Sequence, residues 1–259
     1  MKNIKTTLAY DGTNYHGWQI QPNGITVQSV IEKSLEKLFN RKIKVVGQGR
    51  TDTGVHAIGQ VASFKIPSIA LKNIAISQIK NALNAVLPQD VAVMDVESVS
   101  LDFHPRFDAK DRIYRYIVYN DRNKQVFGRN FFYSYQYKLN LSKMREGAKY
   151  LVGEHDFSSF QCKKTDNENP VRTIKKLTIA RRDFVASNFL KLKNKAVVFD
   201  VTANAFLYNM VRIIVGTLLD VGRCRIESQN IKEILAGGDR NLAGETVPAC
   251  GLFLIAVHY

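Results

Sequence analysis

The chain has 259 residues, 45% of them hydrophobic, which is enough for one large or two small domains with a real core. Lysine and arginine number 37 against 23 acidic residues, so the net charge is +14, and such an excess favours a polyanionic partner, most commonly nucleic acid. The chain shows neither a run of 18 apolar residues nor a signal-peptide pattern, so we expect a cytoplasmic protein rather than a membrane or secreted one.

The first hundred residues carry alternating strand and helix patterns. Two helices are indicated by apolar residues at three- and four-residue steps, with Thr26 as the N-cap of the first and Pro88 ending the second. The predicted order is strand Lys5 to Tyr10, helix Thr26 to Phe39, strands Lys42 to Val46 and Gln60 to Ile66, helix Asn73 to Leu87 and strand Val91 to Val99. This β-α-β-β-α-β order is the split pattern of a ferredoxin-like unit.

The second half repeats that order of elements without evident sequence similarity to the first. The predicted strands are Arg112 to Asn120, Thr173 to Arg181, Ala196 to Ala203 and Leu252 to His258. The predicted helices are Ser142 to Val152, Phe206 to Val221 and the short Gln229 to Leu235. We therefore expect an α+β protein with two domains, residues 1–108 and 109–259, and an exposed polar insertion from Gln161 to Pro170.

The most informative segment is GQGRTDTGVHAIGQ, from Gly47 to Gln60. It places one carboxylate, Asp52, between Arg50 and His56 in a glycine-framed loop between two predicted strands, where the chain or a ligand can approach closely. Such a loop suits a reactive acid, although a loop aspartate more often forms a turn with its own backbone. We expect His56 to be a structural hydrogen-bonding residue.

Two residues of the second half are further candidates. Arg212 lies in an almost wholly apolar helix, where a buried guanidinium needs an anionic partner such as Asp52, unless its head reaches water. Tyr114 lies in the strand RIYRYIVY, where a tyrosine ring can stack on an extruded base or can simply belong to the core.

The sequence carries little sign of disulfides or of a metal site. The three cysteines have no paired spacing and the histidines are far apart, so we expect neither disulfides nor a metal site.

Basic clusters lie at Arg41 to Lys44, Lys163-Lys164, Lys175-Lys176, Arg181-Arg182 and Lys191, Lys193 and Lys195. Any one cluster is commonly a solvated face, but together with the net charge they favour an RNA-binding surface.

Several long motifs, in order, resemble the TruA-type tRNA pseudouridine synthase family. The loop matches its G-x-G-R-T-D-x-G-V-H-A pattern, and the other motifs are YDGTNYHGWQIQP, FHPRFDAKDRIYRY, GEHDFSSF, NAFLYNMVRIIVG and GLFLIAVHY. The departures are Gln48 and Thr53, where alanine is common, Pro105, and Cys250 before the last Gly-Leu. They bear on substrate range more than on activity.

The resemblance implies a fold and an activity. The fold would be two ferredoxin-like units joined edge to edge into one mixed sheet with helices on one side. The activity would convert uridine to pseudouridine at positions 38 to 40 of the tRNA anticodon arm, with Asp52 as the indispensable carboxylate. Arg50 would bind phosphate or flip the nucleotide, Leu252 would line the uracil pocket, and Tyr114 and Arg212 would belong to the active site. The family also implies a homodimer in which one tRNA touches both subunits. No organic cofactor is expected, because the broken and formed bonds lie within one nucleotide.

Two other functions compete with this interpretation. A non-catalytic RNA-binding or RNA-folding protein could use the aspartate loop only structurally. A nucleotide-binding protein is disfavoured because there is no GxxxxGK[ST] motif, and a carboxylate would repel phosphate. Within the enzyme hypothesis, attack at the ribose, attack on the base and a glycal route all remain open.

Overall fold

The computed structural model describes residues 1–71, 74–162, 169–183 and 195–259. The strands of this described part are β1 (Lys2–Tyr10), β2 (Val45–Gly47), β3 (His56–Ile66), β4 (Val91–Val99), β5 (Asp111–Asn120), β6 (Tyr133–Tyr135), β7 (Gly153–Asp156), β8 (Val171–Arg182), β9 (Ala196–Ala203) and β10 (Leu252–His258). Its helices are α1 (Val27–Phe39), α2 (Ile76–Asn84), α3 (Leu141–Lys149), α4 (Met210–Gly222) and α5 (Asn230–Gly237). The α+β class predicted from the sequence is confirmed.

The chain forms two compact units. The first contains Met1–Lys110 together with Phe253–Tyr259, and the second contains Asp111–Leu252. The division near residue 110 lies close to the predicted join. The prediction assigned the last strand to the second domain by its place in the chain order, whereas the structure assigns Phe253–Tyr259 to the first unit, where β10 pairs in parallel with β3.

The first unit has the predicted β-α-β-β-α-β order. β1 lies between β4 and β3 and is antiparallel to both, while β2 pairs with β3 around Val45 and Phe64. Helix α1 begins where expected, because the side chain of Thr26 accepts a hydrogen bond from the Ser29 amide and that of Ser29 accepts one from the Thr26 amide. Its buried face carries Val27, Ile31 and Leu35.

Four elements of the first unit differ from the prediction in length. β1 begins at Lys2 rather than at Lys5, and β2 spans Val45–Gly47 rather than Lys42 to Val46. β3 begins at His56 rather than at Gln60, so the last residues of the glycine loop are already strand. Helix α2 ends at Asn84, and Ala85 to Leu87 form a turn in which the Leu87 amide still bonds the Leu83 carbonyl. The predicted start of this helix, Asn73, lies outside the described residues.

The second unit carries an antiparallel sheet in the order β5-β9-β8-β7, and β6 pairs in parallel with β5. The short strands β6 and β7 were not predicted. Helix α4 begins at Met210 instead of Phe206, because Asn209 adopts a left-handed conformation with a φ of 62°. Nearly every residue of α4 is buried, as its all-round apolar sequence requires. None of the described helices is long and apolar enough to span a membrane.

Candidate active site

The loop that carries Asp52 is fixed by the segment Tyr10–Trp18, which begins with the last residue of β1. The Trp18 amide donates to the Thr51 carbonyl at 3.0 Å, and the Gly54 amide donates to the Tyr15 carbonyl at 3.4 Å. The hydroxyl groups of Tyr10 and Thr51 lie 2.8 Å apart. Bonds therefore hold the loop on both sides of Asp52, whose own carbonyl accepts from the Val55 amide at 3.1 Å.

A buried polar network lies beneath the loop. The Gln60 side-chain amide, on β3, donates to the Gly49 carbonyl at 3.2 Å and lies 3.5 Å from the Tyr10 hydroxyl. Burial raises the pKa of Tyr10 far above its ordinary value, so its hydroxyl stays protonated. With its oxygen facing the Gln60 amide, Tyr10 can donate its proton to Thr51. This network has no direct signal in the sequence, since neither Tyr10 nor Gln60 is a candidate by residue type alone.

The two outer glycines of the GQG motif have different surroundings. A Cβ atom at Gly47 would lie 2.4 Å from the indole nitrogen of Trp18, the single tryptophan of the chain, which is 3% exposed. At Gly49 a Cβ atom would meet nothing within 4 Å. Close packing of the loop on Trp18 therefore requires glycine at position 47.

The candidate residues of this loop differ in exposure. Asp52 is half-buried, whereas Arg50 is exposed. His56 is buried, and its ring stacks on Phe253 with 4.8 Å between ring centres. Its Nδ1 accepts from the Gly12 amide at 3.0 Å and lies 3.1 Å from the Asp11 carboxylate. Nδ1 cannot accept from the amide and donate to Asp11 together, and the well-directed amide favours an unprotonated Nδ1, as suits the expected structural role.

The second unit holds the remaining candidates, beginning with Tyr114 on β5. Tyr114 is buried opposite Val201 of β9, and its ring meets that of Phe206 edge-on, with 5.1 Å between ring centres. Two residues further on, Tyr116 is fully buried, and its hydroxyl donates to the Pro248 carbonyl at 2.6 Å. Tyr116 is therefore a core residue. The sequence alone could not show which of Tyr114 and Tyr116 has that role.

Arg212 lies in the first turns of α4 and is half-buried. Its Nε donates to the Val247 carbonyl at 2.7 Å, and its Nη1 donates to the side-chain oxygen of Asn209 at 2.6 Å. Neither acceptor was predicted from the sequence. The expected pairing of Arg212 with Asp52 stays a prediction.

Leu252 is buried at the start of β10. Gly251, just before it, lies against the ring of Tyr116, where a Cβ atom would come within 2.8 Å of two ring carbons. Leu252 therefore follows directly after a closely packed residue of the second unit. Its place in a uracil pocket stays a prediction.

The basic clusters in the described residues face solvent. Arg41, Lys42 and Lys44 are exposed in the first unit, and Lys175, Lys176, Arg181 and Arg182 are exposed in the second. Lys175 is paired with Asp111 at 2.5 Å, and Lys195 is paired with Asp121. Lys163, Lys164, Lys191 and Lys193 lie outside the described residues. Across the described ranges no group of three or more histidine, cysteine or acidic side chains is placed to hold a metal ion.

Comparison with known proteins gives consistent matches along the chain. The family model described as tRNA pseudouridine synthase matches residues 7–108 and 148–259. The protein named tRNA pseudouridine synthase A from Caldicellulosiruptor saccharolyticus is 42% identical over 259 residues, covering 100% of both chains. Proteins of the same name from Clostridium acetobutylicum and Thermotoga sp. strain RQ2 are each 44% identical, the first over 100% and the second over 99% of both chains.

These matches, on a chain with the α+β fold, define an isomerase of the pseudouridine synthase class. The family model covers most of the chain, and full-length relatives exceed 40% identity. The chain belongs to the tRNA pseudouridine synthase family.

Proposed function

We propose that this enzyme isomerises uridine to pseudouridine at positions 38 to 40 of the tRNA anticodon stem-loop, with Asp52 as its essential carboxylate. The observation that carries the proposal is the setting of Asp52: a half-buried carboxylate on a loop fixed by Trp18, Tyr15 and Tyr10. A catalytic group held at a constant position avoids the entropic cost of ordering it during the reaction.

The reaction breaks the bond between uracil N1 and ribose C1′ and forms one from C5 to C1′. The proton on C5 is lost, and N1 gains a proton, so the nucleotide keeps its composition. Asp52 can attack C1′ or the base to give a covalent intermediate, or assist a glycal route by taking a ribose proton. Each route requires the carboxylate to be ionised at the start.

The other site residues have separate proposed roles. Arg212 keeps Asp52 ionised by its positive charge. Tyr114 stacks on the extruded uracil or relays the proton that leaves C5. Arg50, being exposed in the same loop as Asp52, binds a phosphate of the target strand as the nucleotide turns out of the helix. Leu252 lines the uracil pocket.

The proposed partner is tRNA, in keeping with the names of the relatives and the net charge of +14. We further propose a cytoplasmic homodimer in which one tRNA touches both subunits. Light scattering of the purified protein, alone and with tRNA, measures the stoichiometry and would reveal a monomer.

The test of the catalytic proposal is the Asp52→Asn variant. Tritium release from C5-labelled uridine in unmodified tRNA should fall to background, while tRNA binding and thermal unfolding stay close to those of the wild type. The control is Thr53→Ala, because Thr53 is an exposed neighbour of Asp52 in the same loop. This variant should release tritium at the wild-type rate. Asp52→Asn activity within tenfold of the wild type would reject the catalytic role. A wild-type protein that binds tRNA without turnover would instead support the RNA-binding alternative.

A further inference from the structure

We propose that the segment Gly244–Pro248, here called the strap, and the side chain of Asn209 together aim the guanidinium of Arg212, and that the isomerisation rate depends on this aiming. The inference rests on the proposed role of Arg212. It assigns positioning roles to Asn209, Gly216 and Thr217, none of which needs to touch the substrate.

Two elements hold two different nitrogens of Arg212. Nε is bound by the Val247 carbonyl of the strap at 2.7 Å, and Nη1 by the Asn209 side chain, one turn earlier, at 2.6 Å. A guanidinium group is planar and presents its donors in a fixed fork. Bonds to two of its nitrogens therefore fix both the plane of the group and its direction.

The strap can supply its carbonyl because it lies directly on helix α4. A Cβ atom at Gly216 would lie only 1.9 Å from the Glu245 carbonyl oxygen, so the backbone of the strap occupies the space of a side chain. Next to it, the hydroxyl of Thr217 accepts from the Gly244 amide at 2.9 Å and donates to the Ile213 carbonyl at 2.8 Å.

The other end of the strap is bound to β5. The carbonyl of Pro248 accepts the hydroxyl proton of the buried Tyr116 at 2.6 Å. Val247 thus lies between two fixed ends, one at Thr217 and one at Tyr116. These two bonds limit how far the Val247 carbonyl can move.

Asn209 contributes through both its backbone and its side chain. It adopts the left-handed conformation, φ 62°, immediately before α4, a conformation that asparagine tolerates better than most residues. This places its side-chain oxygen within reach of Arg212. Glycine would keep the backbone and lose the acceptor, whereas aspartate would keep both.

The experiment measures kcat for tRNA and tRNA affinity in three matched pairs. Asn209→Gly is compared with Asn209→Asp, Thr217→Val with Thr217→Ser, and Gly216→Ala with Gly147→Ala. Gly147 is a buried helical glycine of the same unit, where the nearest atoms to an added Cβ lie at 3.5 Å. An ångström of misplacement can cost about 100-fold in rate. We expect kcat to fall about 100-fold in the first variant of each pair, at nearly constant tRNA affinity. The second variant of each pair should keep most of the wild-type kcat.

The outcomes separate this inference from the proposed function. An Arg212→Met enzyme with ordinary turnover would reject the role of Arg212 itself. If Arg212→Met is inactive but folded Asn209→Gly and Thr217→Val retain wild-type kcat, Arg212 matters and its aiming does not, so the inference is wrong. A loss that appears only in thermal stability, or equally in Asn209→Gly and Asn209→Asp, would likewise overturn it.

Discussion

Tyr10, the last residue of β1, shares a 2.8 Å hydrogen bond with Thr51, the residue before the candidate catalytic Asp52. The bond is buried and joins positions 41 residues apart in the chain. A central strand of the first unit therefore supports the catalytic loop directly, and stability and activity should respond together when this bond is removed.

Tyr10→Phe removes the hydroxyl and leaves the ring. Because a buried hydrogen bond contributes about 0.5–1.5 kcal/mol, the free energy of unfolding should fall by about that amount. Turnover should fall as well, through a looser Asp52. Urea unfolding and tritium release measure the two effects. In a double-mutant cycle with Thr51→Val, the second substitution should add little to the first, and fully additive losses would contradict the bond.

Alkaline pH should destabilise the protein through its buried tyrosines. Burial raises the pKa of both Tyr10 and Tyr116 above the ordinary tyrosine value. Their contribution to stability is therefore fully present below about pH 10, where the unfolded chain is also protonated. It is lost as the pH rises further, because only the unfolded chain then releases these protons. Urea midpoints between neutral pH and about pH 11 test this expectation. The midpoint should fall less steeply in Tyr10→Phe than in the wild type.

The glycines of the GQG motif should respond differently to alanine. Gly47→Ala forces the loop away from the indole of Trp18, and overpacking of this kind costs typically about 1–3 kcal/mol. Gly49→Ala meets open space and should change stability by less than about 0.5 kcal/mol. Thermal unfolding and turnover of the two variants measure this difference. Equal effects at the two positions would refute the proposed contact.

Asp52 and Arg212 should be energetically coupled if they form the predicted pair. Breaking a fully buried pair costs about 3–5 kcal/mol, and a smaller cost is expected here because both residues are only half-buried. The combined variant Asp52→Asn with Arg212→Met should lose less stability than the sum of the single losses. Strictly additive losses would show that Asp52 is not the partner of Arg212.

Affinity for tRNA should fall steeply with salt. Each phosphate neutralised by lysine or arginine releases counterions, so the logarithm of the binding constant should decline linearly with that of the salt concentration. Filter binding between about 50 and 200 mM salt measures the slope. Reversing an exposed charge, as in Lys42→Glu, should make this slope less steep if the Arg41 to Lys44 cluster contacts RNA. An affinity indifferent to salt would exclude a phosphate-tracking surface.

Most of the regular elements could be predicted from the sequence because they follow simple periodicities. The strands Val91–Val99, Ala196–Ala203 and Leu252–His258 were predicted to the residue, and α1 was predicted with its N-cap. The failures have local causes. Strands of three or four residues such as β6 and β7 are too short for alternation to be recognised, and α4 begins late because the left-handed turn at Asn209 has no periodic signature.

The candidate site was only partly predictable. Asp52, Arg50 and Arg212 became candidates because a charge in a glycine loop or in an apolar helix is unusual. Their supports were not recognised, since the Val247 carbonyl is a backbone atom and Gln60 looks like an ordinary strand residue. Contacts between residues distant in the chain, such as Tyr10 with Thr51, leave no pattern in a single sequence.

The return of Phe253–Tyr259 to the first unit has a consequence for how the protein is made. Synthesis proceeds from the N-terminus, and domains generally fold as units in that order. Here the parallel neighbour of β3 emerges from the ribosome only after the whole of Asp111–Leu252. Until then, His56 at the edge of the candidate catalytic loop lacks its stacking partner Phe253. The first unit to be translated is thus the last to be completed, because its closing strand is the last part of the chain to be made.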